Sequence, residues 1–450
     1  MPRWFGTDGI RGESFTFPVT EQVFRAIGFH WGRDLVDRYG VRDVIVARDT
    51  RASSHALAHA FMEGLVRANC RVHDLGIFPT PATIILAHRW GTCAGIITAS
   101  HNLYPDNGLK LVQPDGRKIP ETVEDMLEQH LQDVIDPPDD FSVVHARDAA
   151  YTAYTQWLVQ TFAELRDLAR RLPRLYLDMA HGAAFRVYPA VLMQLGFHVT
   201  TMYAEPNGTN INVRCGAVHP EVLHQHIRST GDQHCLGFAY DGDGDRVIGV
   251  HPEFGLLDGH IVLAVLARWL QQTGSLGRSP AVVSTVMANQ ALETLLSEWG
   301  IRLIRTAVGD KYVADALDVH GLYLGAEPSG HVILRHLAPT GDGLLTTLAL
   351  LQTMHEQPEI LETVCTSYRP FPQILHNVRV REKIPLDQLP ELQQAVATWE
   401  TRLNGRGRVF LRYSGTEPVL RILVECVSSD LAETCAQDLA RIAHRILAPQ

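Results

Sequence analysis

The chain contains little concentrated positive charge. It has 40 Lys and Arg against 50 Asp and Glu, a formal net charge of −10, and an isoelectric point near 6.1. Binding to a nucleic-acid backbone requires clustered Lys and Arg side chains, and the sequence has no dense block of them. We therefore expect no nucleic-acid partner, and functional cations should act locally within a small site.

Cysteines are few and scattered. There are seven and none forms a CxxC pair, which predicts neither a disulfide framework nor a zinc site. Long apolar runs are also missing, because the most apolar stretch, residues 261–270, is short and contains Arg268. The first residues lack the apolar core of a signal peptide. These features predict a cytoplasmic protein with no membrane partner. The 22 histidines occur singly and are expected on the surface or in the core.

The distribution of apolar residues predicts an α/β fold. Short β-branched runs followed by amphipathic segments recur through most of the 450 residues, as in layered α/β domains. The last stretch differs and favours a small antiparallel sheet backed by helices. We predict three similar α/β mixed-sheet domains and a smaller C-terminal α+β domain. Their expected ranges are residues 1–145, 146–252, 253–368 and 369–450.

A serine follows a buried strand predicted over residues 94–97. Ser100 lies on the loop after it, where open α/β sheets usually carry their chemistry. Serine is a weak nucleophile unless a base and a counter-charge are close, and His101 and Lys110 are placed to supply them. The segment 106–108 predicts a tight turn before Lys110. The alternative is a loop that only caps a neighbouring helix.

Three aspartates follow the apolar run 236–240. Asp241, Asp243 and Asp245 are separated only by glycines, which allow the backbone to curl so that the carboxylates converge. Close carboxylates repel one another unless a hard divalent cation binds them. The pattern therefore predicts a metal site at the end of a strand.

Two other kinds of loop also contain closely spaced aspartates. An EF-hand begins with the same spacing, but Arg246 stands where its turn glycine belongs and Pro252 where its bidentate glutamate belongs. The EF-hand is therefore excluded. A solvated acidic turn rarely follows a buried strand directly. Three protein oxygens with a phosphate oxygen as a further ligand suit Mg²⁺, which tolerates partial protein coordination.

A third polar loop spans residues 325–331 between two predicted strands. Glu327 and Ser329 are two positions apart and can face one side of the chain. A carboxylate and a hydroxyl in this arrangement can bind neighbouring sugar hydroxyls. The alternative is a plain hairpin turn.

A fourth loop spans residues 412–416 and combines with Arg421 on the following strand. It offers two guanidinium groups, two hydroxyls and a glycine backbone amide, a set that matches the charge and geometry of phosphate. The alternative is an exposed basic edge with a turn.

In sequence order, these four loops resemble those of the α-D-phosphohexomutases, and within that superfamily those of the phosphoglucosamine mutases. The resemblance covers essentially the full length. Further similar motifs are Phe5–Gly12, Asn210–Glu221, Val308–Val313 and Thr340–Leu345.

The resemblance implies four domains around a central cleft, a phosphoryl group carried by Ser100, and one Mg²⁺ held by that phosphate and by Asp241, Asp243 and Asp245. It also implies roles for the remaining candidates. These are Lys110 and His331 as acid–base groups; Arg11 and Arg246 around the transferred phosphoryl; Glu327 and Ser329 on the sugar hydroxyls; and Arg412, Ser414, Gly415, Thr416 and Arg421 on the other phosphate.

The implied reaction interconverts glucosamine 6-phosphate and glucosamine 1-phosphate through a 1,6-bisphosphate, which also serves as activator. It would feed UDP-N-acetylglucosamine and cell-wall precursor synthesis. The ligand is thus a small phosphosugar. The resemblance further implies a homodimer formed through the first domain.

The sequence departs from the family pattern in three places. Residues 326–328 read Ala-Glu-Pro where the glucosamine branch usually has Gly-Glu-Gln, Leu103 stands where proline is usual, and Lys311 where arginine is usual. The first departure leaves open a phosphomannomutase or phosphoglucomutase of the same superfamily. A phosphatase or phosphotransferase would need an open site, and Arg412 and Arg421 favour closure. A catalytically silent sugar-phosphate binder would not need Ser100 or the aspartates.

Overall fold

The structure is a computed structural model that describes residues 3–448 except 173, 278 and 415–417. Its backbone divides into two compact units. The first comprises Met1–Met287 and Leu303–Cys365, and the second comprises Ala288–Arg302 and Thr366–Gln450. Each unit is described by itself.

The first sheet of the first unit has mixed strand directions. Its strands are β1 (Phe5–Gly6), β2 (Gly9–Glu13), β3 (Asp43–Arg48), β4 (Arg71–Ile77), β5 (Cys93–Ile97), β6 (Asp106–Val112) and β7 (Val144–His145). Their order is β1-β2-β6-β5-β3-β4-β7. Strands β3, β4, β5 and β7 run parallel, and the other neighbours pair antiparallel. The accompanying helices are α1 (Glu21–Tyr39), α2 (Ser54–Arg67), α3 (Thr80–Trp90) and α4 (Glu121–Glu128).

The tight turn predicted at residues 106–108 is wrong, because these residues begin β6 and pair with β2. The buried Asn107 amide donates hydrogen bonds to the Ser53 and Ser54 hydroxyls at 2.8 and 2.9 Å. A side chain at Gly108 would collide with a backbone carbonyl of β2. The Asn-Gly pair therefore serves close packing within a sheet, although the same dipeptide is typical of turns.

The second sheet leads to the aspartate loop. Its strands are β8 (Arg174–Asp178), β9 (His198–Met202), β10 (Cys235–Tyr240), β11 (Val247–His251) and β12 (Gly255–Leu257), and its helices are α5 (Arg147–Thr161), α6 (Leu165–Ala169), α7 (Val187–Gln194) and α8 (Pro220–Thr230). The order is β12-β11-β10-β8-β9. Strands β8, β9 and β10 are parallel, whereas β11 and β12 pair antiparallel. The sheet continues through β12, which lies past residue 252, the end of the second domain range predicted from the sequence.

The third sheet positions the loop predicted to bind sugar. Its strands are β13 (Ala281–Thr285), β14 (Arg302–Thr306), β15 (Leu324–Ala326) and β16 (Val332–Leu334), in the order β14-β13-β15-β16. The helices in this part of the chain are α9 (Gly259–Gln272), α10 (Gln290–Glu298), which belongs to the second unit, α11 (Asp310–His320), α12 (Gly343–Glu356) and α13 (Glu359–Ser367). Strands β15 and β16 pair antiparallel, so residues 327–331 join two strands as predicted.

The second unit contains a small antiparallel sheet. Its strands are β17 (Gln373–Arg379), β18 (Gly407–Tyr413) and β19 (Val419–Cys426), in the order β17-β19-β18, and its further helices are α14 (Pro390–Leu403) and α15 (Ser429–Leu447). Apolar residues of β19, such as Ile422, share a core with Trp399 of α14 and Leu439 of α15. This arrangement is the α+β domain that the sequence predicts.

The predicted fold class is confirmed, since the described residues form three mixed α/β sheets and one antiparallel sheet backed by helices. The four domain ranges stay a prediction. None of the helices in the described ranges combines the length and apolar character that crossing a bilayer requires. All seven cysteines, each within the described chain, are free thiols.

Candidate active site

Ser100 lies three residues beyond the end of β5 in a left-handed backbone conformation, with φ of 49°. This region is uncommon for a residue other than glycine and requires support from its surroundings. Thr98 provides part of that support, because its Oγ1 accepts a hydrogen bond of 2.9 Å from the Ser100 amide. The loop therefore presents one serine in a defined and unusual conformation.

The side chain of Arg51 supports the rest of this loop through hydrogen bonds. The guanidinium of Arg51 is fully buried against Asp49, with 2.8 Å between Nε and Oδ2. Its Nη2 donates to the carbonyls of Ser100 and Asn102 at 3.0 and 2.8 Å. The rigid fork of arginine suits several acceptors at once. Arg51 is not among the site residues predicted from the sequence; the available signal is the pair of charged residues, Asp49 and Arg51, that follows the buried strand β3.

The side chain of Asn212 also supports this loop through hydrogen bonds. Its Nδ2 donates to the carbonyls of Ser100 and Asn102 at 2.8 and 2.9 Å. It belongs to the motif Asn210–Glu221, for which the sequence indicated no contact. The structure thus links that motif to the serine loop.

The three aspartate carboxylates converge beside Ser100. One oxygen from each of Asp241, Asp243 and Asp245 lies within 4.8 Å of the others. The Ser100 hydroxyl donates to Asp241 Oδ2 at 2.9 Å. Glycine is required at position 242, where a Cβ would lie 2.6 Å from the Ser100 carbonyl oxygen. The two loops therefore meet at backbone distance.

The electrostatics of this cluster favour a cation. Burial and the neighbouring Asp245 and Asp243 raise the pKa of Asp241 well above its usual range. Within the described residues, the buried oxygens Asp243 Oδ1 and Asp245 Oδ1 make no hydrogen bond. Carboxylate oxygens that are buried, close together and partly unsatisfied are the ligands that Mg²⁺ takes. The residues present therefore fit Mg²⁺. Ser100 Oγ, or a phosphate attached to it, would lie beside the same carboxylates.

Lys110 on β6 provides a fixed positive charge next to these acids. Its Nζ lies 3.0 Å from Asp243, 3.5 Å from Asp245 and 3.1 Å from Asp8. Burial opposes its charge, but the three carboxylates raise the pKa of Lys110 well above its usual value. Asp8 is not among the site residues predicted from the sequence, although it lies within the motif Phe5–Gly12. Lys118, which contacts Asp8 at 2.7 Å, was also missed.

Two histidines flank the cluster in opposite charge states. His101 Nδ1 lies 3.3 Å from Ser100 Oγ, and burial together with Arg246 and Arg11 lowers the pKa of His101 to about 4. Burial also disfavours charge on His331, but Asp245, at 3.8 Å from its Nδ1, raises the pKa of His331 to about 9. At neutral pH, His101 is a proton acceptor and His331 a proton donor.

Arg11 and Arg246 provide donors that are not saturated. Arg11 pairs with Asp8, and Arg246 Nε lies 3.8 Å from Asp245 Oδ1. Within the described chain, the buried Nε of each arginine makes no hydrogen bond. Guanidinium nitrogens in this state are suited to an incoming phosphate.

The sugar loop approaches the same region. Glu327 is buried, and its Oε1 accepts a hydrogen bond of 3.2 Å from the Gly309 amide. Ser329 lines a cavity of about 290 Å³ together with His101 and Arg246. A second cavity, of about 240 Å³, is lined by Lys110, among other residues. The structure thus brings Ser329 to the region of the serine loop.

The phosphate-anchor candidates lie in the second unit. Arg412 of β18 and Arg421 of β19 are direct partners across the antiparallel pair, so their side chains leave the same face. Arg421 Nη2 lies 3.4 Å from Ser414 Oγ. Two guanidinium groups on one face of a sheet can bind a single phosphate between them. Gly415 and Thr416 lie outside the described residues.

A second group of metal-ligand residues lies away from these loops. His30, His130 and Asp133 come within 4.8 Å of one another, but the imidazoles stack at 4.0 Å with 14° between their planes. A metal ion must lie in the plane of each ring it binds, and parallel stacked rings do not share such a point. The described geometry therefore favours the aspartate cluster.

Three parts of the chain match family profiles of the same group. They are phosphoglucomutase/phosphomannomutase alpha/beta/alpha domain I over residues 2–136, domain III of that family over 258–371, and its C-terminal domain over 375–442. The chain is 36% identical over 445 residues to the phosphoglucosamine mutase of Rhizobium meliloti strain 1021, covering 98% of both chains. It is 38% identical over 449 residues to that of Symbiobacterium thermophilum, covering 98% of this chain and 99% of the relative.

Solved structures show the same fold. A phosphoglucomutase/phosphomannomutase family protein from Burkholderia thailandensis superposes with a TM-score of 0.78 at 21% identity, covering 98% of this chain and 97% of the other. The N-acetylphosphoglucosamine mutase of Aspergillus fumigatus, in complex with GlcNAc-6P and magnesium, superposes with a TM-score of 0.64 at 17% identity, covering 98% and 95%.

Proposed function

The chain belongs to the phosphoglucosamine mutase family of the phosphohexomutases, and we propose that it interconverts glucosamine 6-phosphate and glucosamine 1-phosphate. The observation that carries this proposal is the contact between Ser100 and the aspartate cluster, with Ser100 Oγ 2.9 Å from Asp241 Oδ2. A serine in that position can carry a phosphoryl group while the cluster holds a cation against it.

Asp241, Asp243 and Asp245 would hold Mg²⁺, which when bound neutralises charge on the transferring phosphoryl group. Arg11 and Arg246 would add fixed positive charge beside the transferring phosphoryl group. Phosphoryl transfer needs mainly positioning and charge neutralisation, so these residues supply most of what the protein must contribute.

In the first half-reaction, a sugar hydroxyl oxygen attacks the phosphorus of phosphorylated Ser100. A new O–P bond forms, the bond between Ser100 Oγ and phosphorus breaks, and the sugar 1,6-bisphosphate results. The proton of the sugar hydroxyl passes to His331 in its neutral form, while the raised pKa of Lys110 keeps that amine charged. His101, protonated beside the phosphate dianion, returns its proton to Ser100 Oγ.

In the second half-reaction, the bisphosphate has turned around and the same groups act in reverse. Ser100 Oγ attacks the other phosphate, and its proton passes to neutral His101, whose Nδ1 is 3.3 Å away. Protonated His331 gives a proton to the departing sugar oxygen, which becomes the product hydroxyl. The raised pKa of His331, about 9, supports this donor role, and the raised pKa of Lys110 supports a fixed charge beside it.

Binding of the substrate needs two further groups. Glu327 and Ser329 would contact the sugar hydroxyls, and Arg412, Ser414, Gly415, Thr416 and Arg421 would bind the phosphate that does not react. The cross-strand pairing of Arg412 with Arg421 supports the anion site, because it places two guanidinium groups on one face of the sheet.

The test is a mutase assay of the full chain with Mg²⁺ and a trace of sugar 1,6-bisphosphate. It compares kcat/KM for glucosamine 1-phosphate, glucose 1-phosphate and mannose 1-phosphate. A preference for the glucosamine compound is expected. A preference for glucose or mannose phosphate would instead indicate a phosphoglucomutase or phosphomannomutase. The sequence Ala326-Glu327-Pro328, which differs from the usual Gly-Glu-Gln, leaves that alternative open.

Ser100→Ala is the control for the covalent step. It should abolish turnover, and a fully active Ser100→Ala would contradict the phosphoserine mechanism.

We include in the proposal a sugar bisphosphate activator, a homodimer and a cytoplasmic location. The free thiols support a reducing compartment, and sedimentation velocity measures the oligomeric state.

A further inference from the structure

The N-terminus of α12 contacts the loop 241–245, called here the metal loop. Asp342 is buried and caps the helix, with Oδ1 accepting from the amides of Leu344 and Leu345 at 2.8 and 3.1 Å. Two buried tyrosine hydroxyls also reach this carboxylate, that of Tyr154 at 2.5 Å and that of Tyr188 at 3.3 Å. Only one of these two hydroxyls also makes a hydrogen bond to the metal loop in the described structure.

That hydroxyl belongs to Tyr188, which donates to the backbone carbonyl of Gly244 at 2.9 Å. The Gly343 amide, in the first turn of α12, donates to the same carbonyl at 3.0 Å. Gly244 stands between Asp243 and Asp245. Two donors from different elements therefore hold the peptide that links two of the carboxylates.

The fit around this peptide is close. Gly244 has φ of 83°, and a Cβ there would lie 2.8 Å from Tyr188 Oη. A Cβ at Gly343 would lie 3.0 Å from the Gly244 carbonyl oxygen. The glycines at both positions let the helix terminus, the tyrosine and the loop approach one another directly.

This contact has a physical task. The three buried carboxylates repel one another, and a loop containing two glycines could relieve that repulsion by opening. Donors on the Gly244 carbonyl oppose the opening and keep the carboxylates close in the absence of a cation. Groups that orient metal ligands in this way often change metal affinity by about 10- to 100-fold when removed.

We propose that Tyr188 is a positioning residue that sets the geometry of the metal loop for a divalent cation. The proposal rests on the assignment of Asp241, Asp243 and Asp245 as metal ligands. Tyr188 acts through the Gly244 carbonyl, and Asp342 supports it by capping α12 and contacting the same hydroxyl.

The chain offers a matched pair of variants. Tyr188→Phe and Tyr154→Phe each remove one buried hydroxyl that contacts Asp342, but only the first removes a hydrogen bond to the metal loop. Titration of the full-length protein with Mn²⁺, followed by electron paramagnetic resonance without substrate, measures the affinity of the site. We expect Tyr188→Phe to raise the dissociation constant about 10-fold and Tyr154→Phe to leave it within about twofold. Saturating Mg²⁺ should restore the kcat of Tyr188→Phe.

The outcomes separate this proposal from the proposed function. Unchanged Mn²⁺ binding in Tyr188→Phe overturns it, as does equal weakening by both variants, which would indicate a general loss of packing. Wild-type protein that binds no Mn²⁺ also overturns it. If Mn²⁺ binds but no phosphosugar turns over, the function fails while the positioning result stands.

A second variant covers the case in which Tyr188→Phe does not fold. Asp342→Ser keeps a helix-capping hydroxyl but is too short to contact Tyr188, and it should weaken Mn²⁺ binding in the same direction. Wild-type affinity in that variant contradicts the proposal.

Discussion

The side-chain amide of Asn212 donates a hydrogen bond of 2.8 Å to the backbone carbonyl of Ser100, across 112 residues of sequence. Asn212 is buried and comes from the second sheet's part of the chain, whereas Ser100 follows β5 of the first sheet. A residue remote in sequence therefore helps to hold the serine in its left-handed conformation.

Asn212→Ala should lower kcat by about 10- to 100-fold, because small losses of alignment at a reacting atom cost rate steeply. The KM for glucosamine 1-phosphate should change less. Steady-state kinetics with bisphosphate present measure both. Val213→Ala, at the exposed neighbouring position, is the control and should behave as wild type. An equal loss in the control would indicate that the segment as a whole, and not the Asn212 amide, is responsible.

Arg51→Lys should destabilise the serine loop although the charge is retained. Lysine can still pair with Asp49 but lacks the planar fork that reaches the carbonyls of Ser100 and Asn102. Asn212 still donates to both carbonyls, but each lost hydrogen bond from a charged donor costs about 1.5–3 kcal/mol. The expected results are a lower midpoint of thermal unfolding and a lower kcat. Arg67→Lys, at an exposed position of α2, should leave both quantities unchanged, and an unaltered Arg51→Lys protein would refute this account of the loop.

Arg412→Gln should raise the KM for glucosamine 1-phosphate by about 10-fold or more, because a charge-assisted hydrogen bond to phosphate is worth about 1.5–3 kcal/mol. Substrate-dependent kinetics measure the KM. Arg406→Gln, exposed in the same unit, serves as the comparison, and a KM equal to wild type in Arg412→Gln would exclude Arg412 from the anion site.

Mg²⁺ should raise the midpoint of thermal unfolding of the wild-type protein, because a ligand that binds only the folded state stabilises it. Removal of the metal with a chelator should reverse the shift and abolish turnover. Asp243→Asn should lose most of the shift, since it removes one ligand charge. Asp139→Asn, at an exposed position, should retain it. A shift of normal size in Asp243→Asn would place the ion elsewhere.

Asp178 at the end of β8 predicts a pH dependence of stability. Burial raises its pKa to about 6, although it accepts hydrogen bonds from the amides of Gly216 and Ala180. Between about pH 4 and 6 the folded protein therefore keeps a proton that the unfolded chain has released. The contribution of this group to the free energy of unfolding is complete below pH 4, falls as the pH rises, and is lost above pH 6, a change of about 2–3 kcal/mol.

The measurement is the free energy of unfolding of wild type and Asp178→Asn at pH 4 to 7. The difference between the two proteins should change over this range in the stated direction. Asp139→Asn should show a constant difference from wild type. A constant difference for Asp178→Asn would mean that its carboxyl titrates normally in the folded protein.

Much of the fold follows from local pattern. The buried run before Asp241, the strand before Ser100 and the two strands around the sugar loop are all visible in the sequence, because apolar periodicity and glycine placement act over a few residues. The same reasoning fails at Asn107-Gly108. There a pairing with β2 and a core hydrogen bond override the turn preference of the dipeptide.

The sequence by itself determined the fold class, the family and the residue types available for phosphate, metal and sugar, since these depend on short motifs. Only the tertiary structure decided which groups meet. Hydrogen bonds join segments that are distant in sequence. Ser100 donates to Asp241, Arg51 and Asn212 donate to the serine loop, and Tyr188 donates to Gly244. Such contacts arise from the packing of separate sheets and helices against one another, and no local periodicity encodes that packing.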